Sequence, residues 1–124
     1  PTRPGTIYLG SQFLFRTKDR GQTWARISPD LSTNDPKRQQ QELSGGITVD
    51  NSSAEMNTTI YTIAESAKNP QLIWVGTDDG NVQLTRNDGQ TWTNVTRNLK
   101  GLPKGPSWIS WVEASRHDEA TAFV

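Results

Sequence analysis

The sequence predicts an all-β fold made of repeated antiparallel units, and three observations carry that prediction. The octapeptide Thr17-Lys18-Asp19-Arg20-Gly21-Gln22-Thr23-Trp24 returns as Thr85-Arg86-Asn87-Asp88-Gly89-Gln90-Thr91-Trp92, with six of its eight positions identical or, at Asp19/Asn87, near-isosteric. Each copy follows an apolar run, Ile7-Tyr8-Leu9-Gly10 before the first and Ile73-Trp74-Val75-Gly76 before the second. A repeated turn with a fixed apolar approach marks a repeated supersecondary unit. The composition agrees. Only 31% of residues are apolar, yet there are five Trp and ten Gly, which suits many short strands and turns and not a disordered chain.

The complete unit occupies 58–100. Thr58-Thr59-Ile60-Tyr61-Thr62-Ile63-Ala64-Glu65 is β-branched and aromatic, as strands are. Asn69-Pro70 breaks it, and Leu72-Ile73-Trp74-Val75-Gly76-Thr77 is a second strand whose continuous apolar stretch predicts burial on both faces. Asp79-Gly80 is a two-residue hairpin signal. Asn81-Val82-Gln83-Leu84-Thr85 alternates as a third strand, the repeated turn follows, and Thr91-Trp92-Thr93-Asn94-Val95-Thr96 is the fourth.

The flanks are pieces of the same unit. Residues 6–11, 12–17 and 23–28 match its second, third and fourth strands. Trp108-Ile109-Ser110-Trp111-Val112-Glu113 aligns with Ile60 to Glu65, and Ala122-Phe123-Val124 with Ile73-Trp74-Val75. Residues 1–28 are thus a partial unit, 58–100 a complete one and 101–124 a second partial one, about nine strands in all. Residues 29–57, rich in Pro, Gln, Ser and Asn, form an insertion loop in which Pro36 to Leu43 is compatible with a helix. Connections this long are uncommon unless functional or mobile.

At 124 residues the chain is at most one ordinary domain. Thirteen basic and thirteen acidic side chains cancel, which removes any electrostatic case for nucleic acid or an anionic membrane surface. The absence of Cys excludes disulfides and thiolate metal sites. No apolar run approaches the length of a membrane span, and Pro1-Thr2-Arg3-Pro4 is not a signal peptide. Lacking an initiator Met, the chain reads as a processed product or an excised piece of something longer.

The pattern Ser/Thr-x-Asp-x-Gly-x-Thr-Trp resembles the Asp-box, or BNR repeat, of sialidases, xyloglucanases, sortilin-type receptors and photosystem II assembly factors. It is also similar to large bacterial proteins named glycosyl hydrolase, BNR repeat. This resemblance implies a β-propeller, here one complete and two partial four-stranded blades, whose strands run from the inside outward. The spacing from Thr17 to Thr85 exceeds the roughly 40–50 residues of a blade, and the insertion accounts for the excess. It also implies that the box lies on the face opposite the ligand site, and that the protein is secreted or periplasmic. The chain does not reproduce the arginine triad, the Tyr-acid nucleophile pair or the acid Asp of sialidases. Xyloglucanases use two Asp residues on loops of separate blades, a role open here to Asp35 or Asp79.

Within the repeated turn, Thr17, Asp19, Gly21, Thr23 and Trp24, and likewise Thr85, Asn87, Gly89, Thr91 and Trp92, all have structural reasons to be there. The glycines supply a left-handed conformation. Asp19 and Asn87 accept backbone N–H bonds, as Asx turns do. Trp24 and Trp92 are expected to pack between sheets, mostly buried.

Asp78-Asp79 is a carboxylate pair on the ligand-facing side, open to acid–base work; the duller reading is that Asp79-Gly80 is turn chemistry and Asp78 is solvated. Glu65 and Glu113 fall at equivalent strand ends and could line a channel mouth. Arg38, with Asp30, Asp35, Lys37, Glu42 and the Ser44-Gly45-Gly46 turn, sits in the insertion, the best place for specificity. Trp108 and Trp111 are candidate ligand-stacking aromatics. His117 stands alone, so neither a metal site nor a cofactor is implied. The sequons at Asn51, Asn57 and Asn94 matter only in a secretory pathway. The expected partners are other blades, from a longer chain or from copies of this one, and a glycan or protein ligand. A non-catalytic binding module is preferred to a fragment of a glycoside hydrolase, whose paired carboxylates would stand roughly 5–9.5 Å apart.

Overall fold

The computed structural model describes residues 1–43, 57–101 and 107–124. Nine strands form among them: β1 (Ile7–Gly10), β2 (Leu14–Thr17), β3 (Ala25–Arg26), β4 (Ile60–Glu65), β5 (Ile73–Thr77), β6 (Val82–Thr85), β7 (Thr93–Asn94), β8 (Glu113–Ala114) and β9 (Ala122–Phe123). They make three sheets in chain order, β1-β2-β3, β4-β5-β6-β7 and β8-β9, with every pairing antiparallel. The chain is all-β, and none of the three sheets closes on itself. The only helical turns among the described residues are 3-10 turns at Gln41–Leu43 and Thr96–Asn98. The first stands where the insertion was compatible with a helix, and the Ser44-Gly45-Gly46 turn and Asn51 lie outside the described residues.

The repeat holds bond by bond. Gly10 pairs with Leu14 as Gly76 pairs with Val82, and Ile7 with Thr17 as Ile73 with Thr85. The Ile27 N–H donates to Leu14 O and the Val95 N–H to Val82 O, both at 2.8 Å. The Leu14 N–H donates to Ser28 Oγ and the Val82 N–H to Thr96 Oγ1. Tyr8 therefore corresponds to Trp74, Arg16 to Leu84 and Trp24 to Trp92. The fourth strand is shorter than read: β7 covers Thr93–Asn94 only, and the backbone then tightens into the 3-10 turn.

The third sheet corrects the alignment of 108–113. The Ser66 N–H donates to Leu72 O and the Ser115 N–H to Thr121 O, and each serine hydroxyl accepts two N–H groups of the following turn. Ser66 thus matches Ser115, so Glu65 matches Ala114 and Glu113 matches Ala64. In a strand a one-residue slip exchanges the two faces. Glu65 turns back toward the first sheet, Glu113 is exposed, and the two do not line a common mouth.

The sheets join through a close approach that only glycine permits. A Cβ on Gly10 would stand 2.7 Å from Ile60 Cβ, and one on Gly76 would overlap Ile109 Cγ2 and approach Thr62 Cγ2 at 2.7 Å. The Ile60 N–H donates to Ser11 O and the Ile109 N–H to Thr77 O, one residue past each glycine. Apolar burial is concentrated at the same joints. Leu14, Leu31, Ile60, Ile73 and Val75 fill the first, with Tyr8, Ile27, Ile63 and Trp92 packed on them. Leu72, Trp74, Val82, Leu84, Ile109 and Val112 fill the second. All five residues of β5 are buried, as a strand covered on both faces requires.

Candidate functional site

The repeated turn is built as the residue types predict. Asp19 Oδ1 accepts the Thr23 N–H at 2.9 Å and the Thr17 hydroxyl at 2.6 Å, while Oδ2 accepts the Thr23 hydroxyl at 2.6 Å. These donors lower the Asp19 carboxyl to about 2, with the Thr17 and Thr23 hydroxyls leading. In the second copy Asn87 Oδ1 accepts the Thr91 N–H at 2.9 Å, and its amide donates to the Thr91 hydroxyl at 2.8 Å. Asp and Asn exchange because a threonine hydroxyl serves as donor to one and acceptor to the other. Each turn carries two successive left-handed residues, Arg20-Gly21 and Asp88-Gly89.

The two tryptophans part company, which corrects the expectation for Trp24. Trp92 packs on the first joint, and its indole N–H donates to Ile27 O of the first sheet at 3.0 Å. Trp24 is 44% exposed, and its indole N–H closes on Gly21 O of its own turn. Trp92 has a preceding sheet to lie against. Trp24 has no such cover among the described residues.

The second turn also anchors an ionic network that the repeat pattern concealed, because its members differ between copies. Asp88 stands where the first turn has Arg20, and its carboxylate accepts from Arg3 at 3.0 Å and from Arg16. Arg3 also donates to Pro70 O and to the Tyr8 hydroxyl. Tyr8 in turn donates to Glu65 Oε2 at 2.6 Å, and Glu65 Oε1 accepts the Thr2 N–H and hydroxyl. The Glu65 side chain is only 3% exposed. Burial opposes ionisation of Glu65 and Asp88, yet hydrogen bonds and the arginine charges outweigh it and hold both below the usual carboxylate range. Burial and the Glu65 contact push the Tyr8 hydroxyl up to about 12. In the second joint Trp74 takes the place of Tyr8 and Ala114 that of Glu65. The buried Trp74 Nε1 there has no hydrogen-bond partner among the described residues.

A pH dependence follows. Both carboxyls have folded pKa values below their unfolded ones. Their stabilisation is therefore complete above the unfolded values and is lost as pH falls below the usual carboxylate range and through the folded ones. Glu65→Gln is expected to flatten the acid side of the stability–pH curve, measured by denaturant unfolding at successive pH values.

Asp78 and Asp79 are both engaged as hydrogen-bond acceptors. The turn is three residues long, Asp78-Asp79-Gly80, closed by Thr77 N–H to Asn81 O, rather than the two-residue hairpin expected. Gly80 supplies the left-handed residue, with φ 102°. Asp78 is buried, not solvated: its two oxygens accept the Thr59 N–H at 2.8 Å and the Thr59 hydroxyl at 2.7 Å. Asp79 is 1% exposed. Its Oδ2 accepts the Thr33 N–H and hydroxyl, both at 2.6 Å, and its Oδ1 accepts the Thr77 hydroxyl at 2.5 Å.

The insertion does meet Asp79 on one side of the molecule, and its first part is pinned there. Leu31 is buried, and its carbonyl accepts from Asn81 and Gln83. Arg38 donates to Asp79 O and pairs weakly with Asp35 at 3.9 Å. Asp30 and Asp35 accept the Ser32 and Lys37 N–H groups in local turns. With every hydrogen-bonding oxygen of Asp79 occupied, Asp79→Ala removes the partner of the Thr33 N–H and hydroxyl and strands the buried Thr77 hydroxyl. A loss of about 1–3 kcal/mol in unfolding free energy is expected, read by urea titration.

Three exposed aromatics, Tyr61, Trp108 and Trp111, lie on β4 and its companion segment. Tyr61 is the extra residue where the β4–β5 register shifts between Ile60 and Thr62, so it projects from the sheet edge. Trp108 meets it edge to face at 5.0 Å and 86°. Trp108 and Trp111 are both exposed, while Ile109 and Val112 between and beside them anchor the segment in the second joint. His117 is an exposed turn residue whose carbonyl accepts from Lys68 Nζ. Among the described residues no three His, Asp or Glu side chains gather as metal ligands. No family model, curated protein or solved structure matches the chain.

Proposed function

We propose that the chain is part of an Asp-box β-propeller and serves as a non-catalytic module that binds a carbohydrate or protein ligand. Its structural partners are further units of the same kind. The bond-for-bond repetition of the sheets, the glycine joints and the two repeated turns support the propeller reading. The observation that carries the binding reading is the exposed Tyr61–Trp108 pair with Trp111 on the same segment, set beside acids that are spent on holding loops. Aromatic faces stack on sugar rings and anchor protein interfaces with little loss of conformational entropy. A hydrolase needs a free acid and a free base, and Asp78, Asp79 and Asp35 are engaged as acceptors.

The test is binding of the chain to soluble polysaccharides by affinity electrophoresis, with a protein-ligand pulldown as the second arm. Trp108→Ala is expected to weaken retention about tenfold or more while thermal unfolding is unchanged, as for an interface anchor. Glycan hydrolysis that disappears in Asp79→Asn with folding intact would reverse the reading in favour of a glycoside hydrolase fragment.

A further inference from the structure

One exposed face has a buried counterpart within the same chain. Ile73 and Val75 leave β5 toward the first sheet and are 0% exposed, and Trp92 packs with them. The matching positions of the first sheet are Ile7, Leu9 and Trp24, and these are 45%, 51% and 44% exposed. On the opposite side, the residue that each sheet turns toward the next is aromatic: Tyr8, then Trp74, then Phe123, which is 64% exposed. The repeat therefore states what covers an Ile-aliphatic-Trp face of this kind, namely the aromatic-bearing face of another such sheet.

The charges at the two free faces identify the source of that sheet. At the first joint, Asp88 on the rear of the second sheet binds Arg3 on the front of the first. The residue matching Asp88 on the rear of the first sheet is Arg20: the Arg20 N–H donates to Gly5 O as the Asp88 N–H does to Gln71 O. The residue matching Arg3 on the front of the third sheet is Asp118: Arg3 O, Asn69 O and Asp118 O each accept the N–H three residues on. The pair is present with its signs exchanged, and both halves are exposed in this chain.

We propose that Ile7, Leu9, Trp24 and Arg20 form a docking surface for a second copy of this chain, which covers them with Phe123 and Asp118. This rests on the three sheets being successive units of one repeat, and deepens the partner named above. The contact is heterologous, rear on front, so it propagates head to tail and ends only where a ring closes. The apolar part supplies the burial, and the Arg20–Asp118 pair sets register and rejects a wrongly charged front.

Sedimentation velocity of the full chain at low salt, across a wide concentration range, is the experiment. The parent is expected to associate with rising concentration. Leu9→Lys, Arg20→Glu and Asp118→Arg should each weaken association about tenfold. Equal mixing of Arg20→Glu with Asp118→Arg should restore it, because every rear then meets a front of opposite charge. Circular dichroism confirms that each variant is folded. If Asp118→Arg disturbs its own turn, Arg20→Glu must still weaken association more than Arg20→Ala. A parent monomeric at every concentration, a Leu9→Lys protein that associates like the parent, or a mixture no better than its components each overturns the proposal. Ligand retention on Trp108 is measured on the same samples, so failure of the binding reading is seen separately.

Discussion

Trp92→Ala is expected to lower the unfolding free energy by roughly 3 kcal/mol, while Trp24→Ala changes it by less than about 1 kcal/mol. The two residues occupy the same position of the same octapeptide, so local chemistry predicts equal effects. Tertiary placement separates them. Trp92 packs against the apolar cluster of the first joint and satisfies Ile27 O, so its removal opens a cavity and strands a carbonyl. Trp24 shields little and bonds within its own turn. Urea unfolding of the two variants side by side, at a concentration where the chain is not associated, checks the difference. Equal losses would contradict the placement of the second turn against the first sheet.

Gly76→Ala is expected to destabilise by about 1–3 kcal/mol, although alanine is the better strand residue. The added methyl meets Ile109 Cγ2 of the segment leading into β8 and Thr62 Cγ2 of its own sheet, and Ile109 is buried, with little room to retreat. The informative measurement is the cycle with Ile109→Ala. Truncating Ile109 alone leaves a cavity, whereas in the double variant the new methyl occupies part of that space. The combined loss should fall short of the sum of the single losses by about 1 kcal/mol, the coupling expected of residues in contact. Additive losses would mean that the two positions do not touch.

The strands and the repeated turn were legible in the sequence because they depend on local causes. Alternation and β-branching mark β4 to β6, and the Thr-x-Asp/Asn-x-Gly-x-Thr spacing places hydroxyls and a side-chain acceptor where turn N–H groups need them. The alignment of 108–113 failed for a reason also visible in local residues. Apolar character barely changes on a one-residue slip, whereas the Ser66/Ser115 turn bonds determine the register without ambiguity. The ionic network was hidden because Arg3, Arg16, Tyr8 and Asp88 come from places where the copies differ, and repeat comparison discards such positions.

The class of the strands, their antiparallel order and the chemistry of the recurring turn were readable from neighbouring residues alone. Those are set by interactions reaching only a few residues along the chain. The tertiary structure alone decided the fate of side chains whose partners lie on another sheet. Asp79 became a loop clasp because Thr33, far away in the chain, folds back onto it. The Glu65 side chain was drawn into the joint because Tyr8 of the first sheet and Thr2 and Arg3 of the segment before it converge on it. The Asp78-Asp79 pair reads as available chemistry in one dimension, whereas in three both side chains are buried and their oxygens accept hydrogen bonds. Trp24 and Trp92 carry the same letters, and only the presence or absence of a neighbouring sheet gives one a core role and leaves the other facing water.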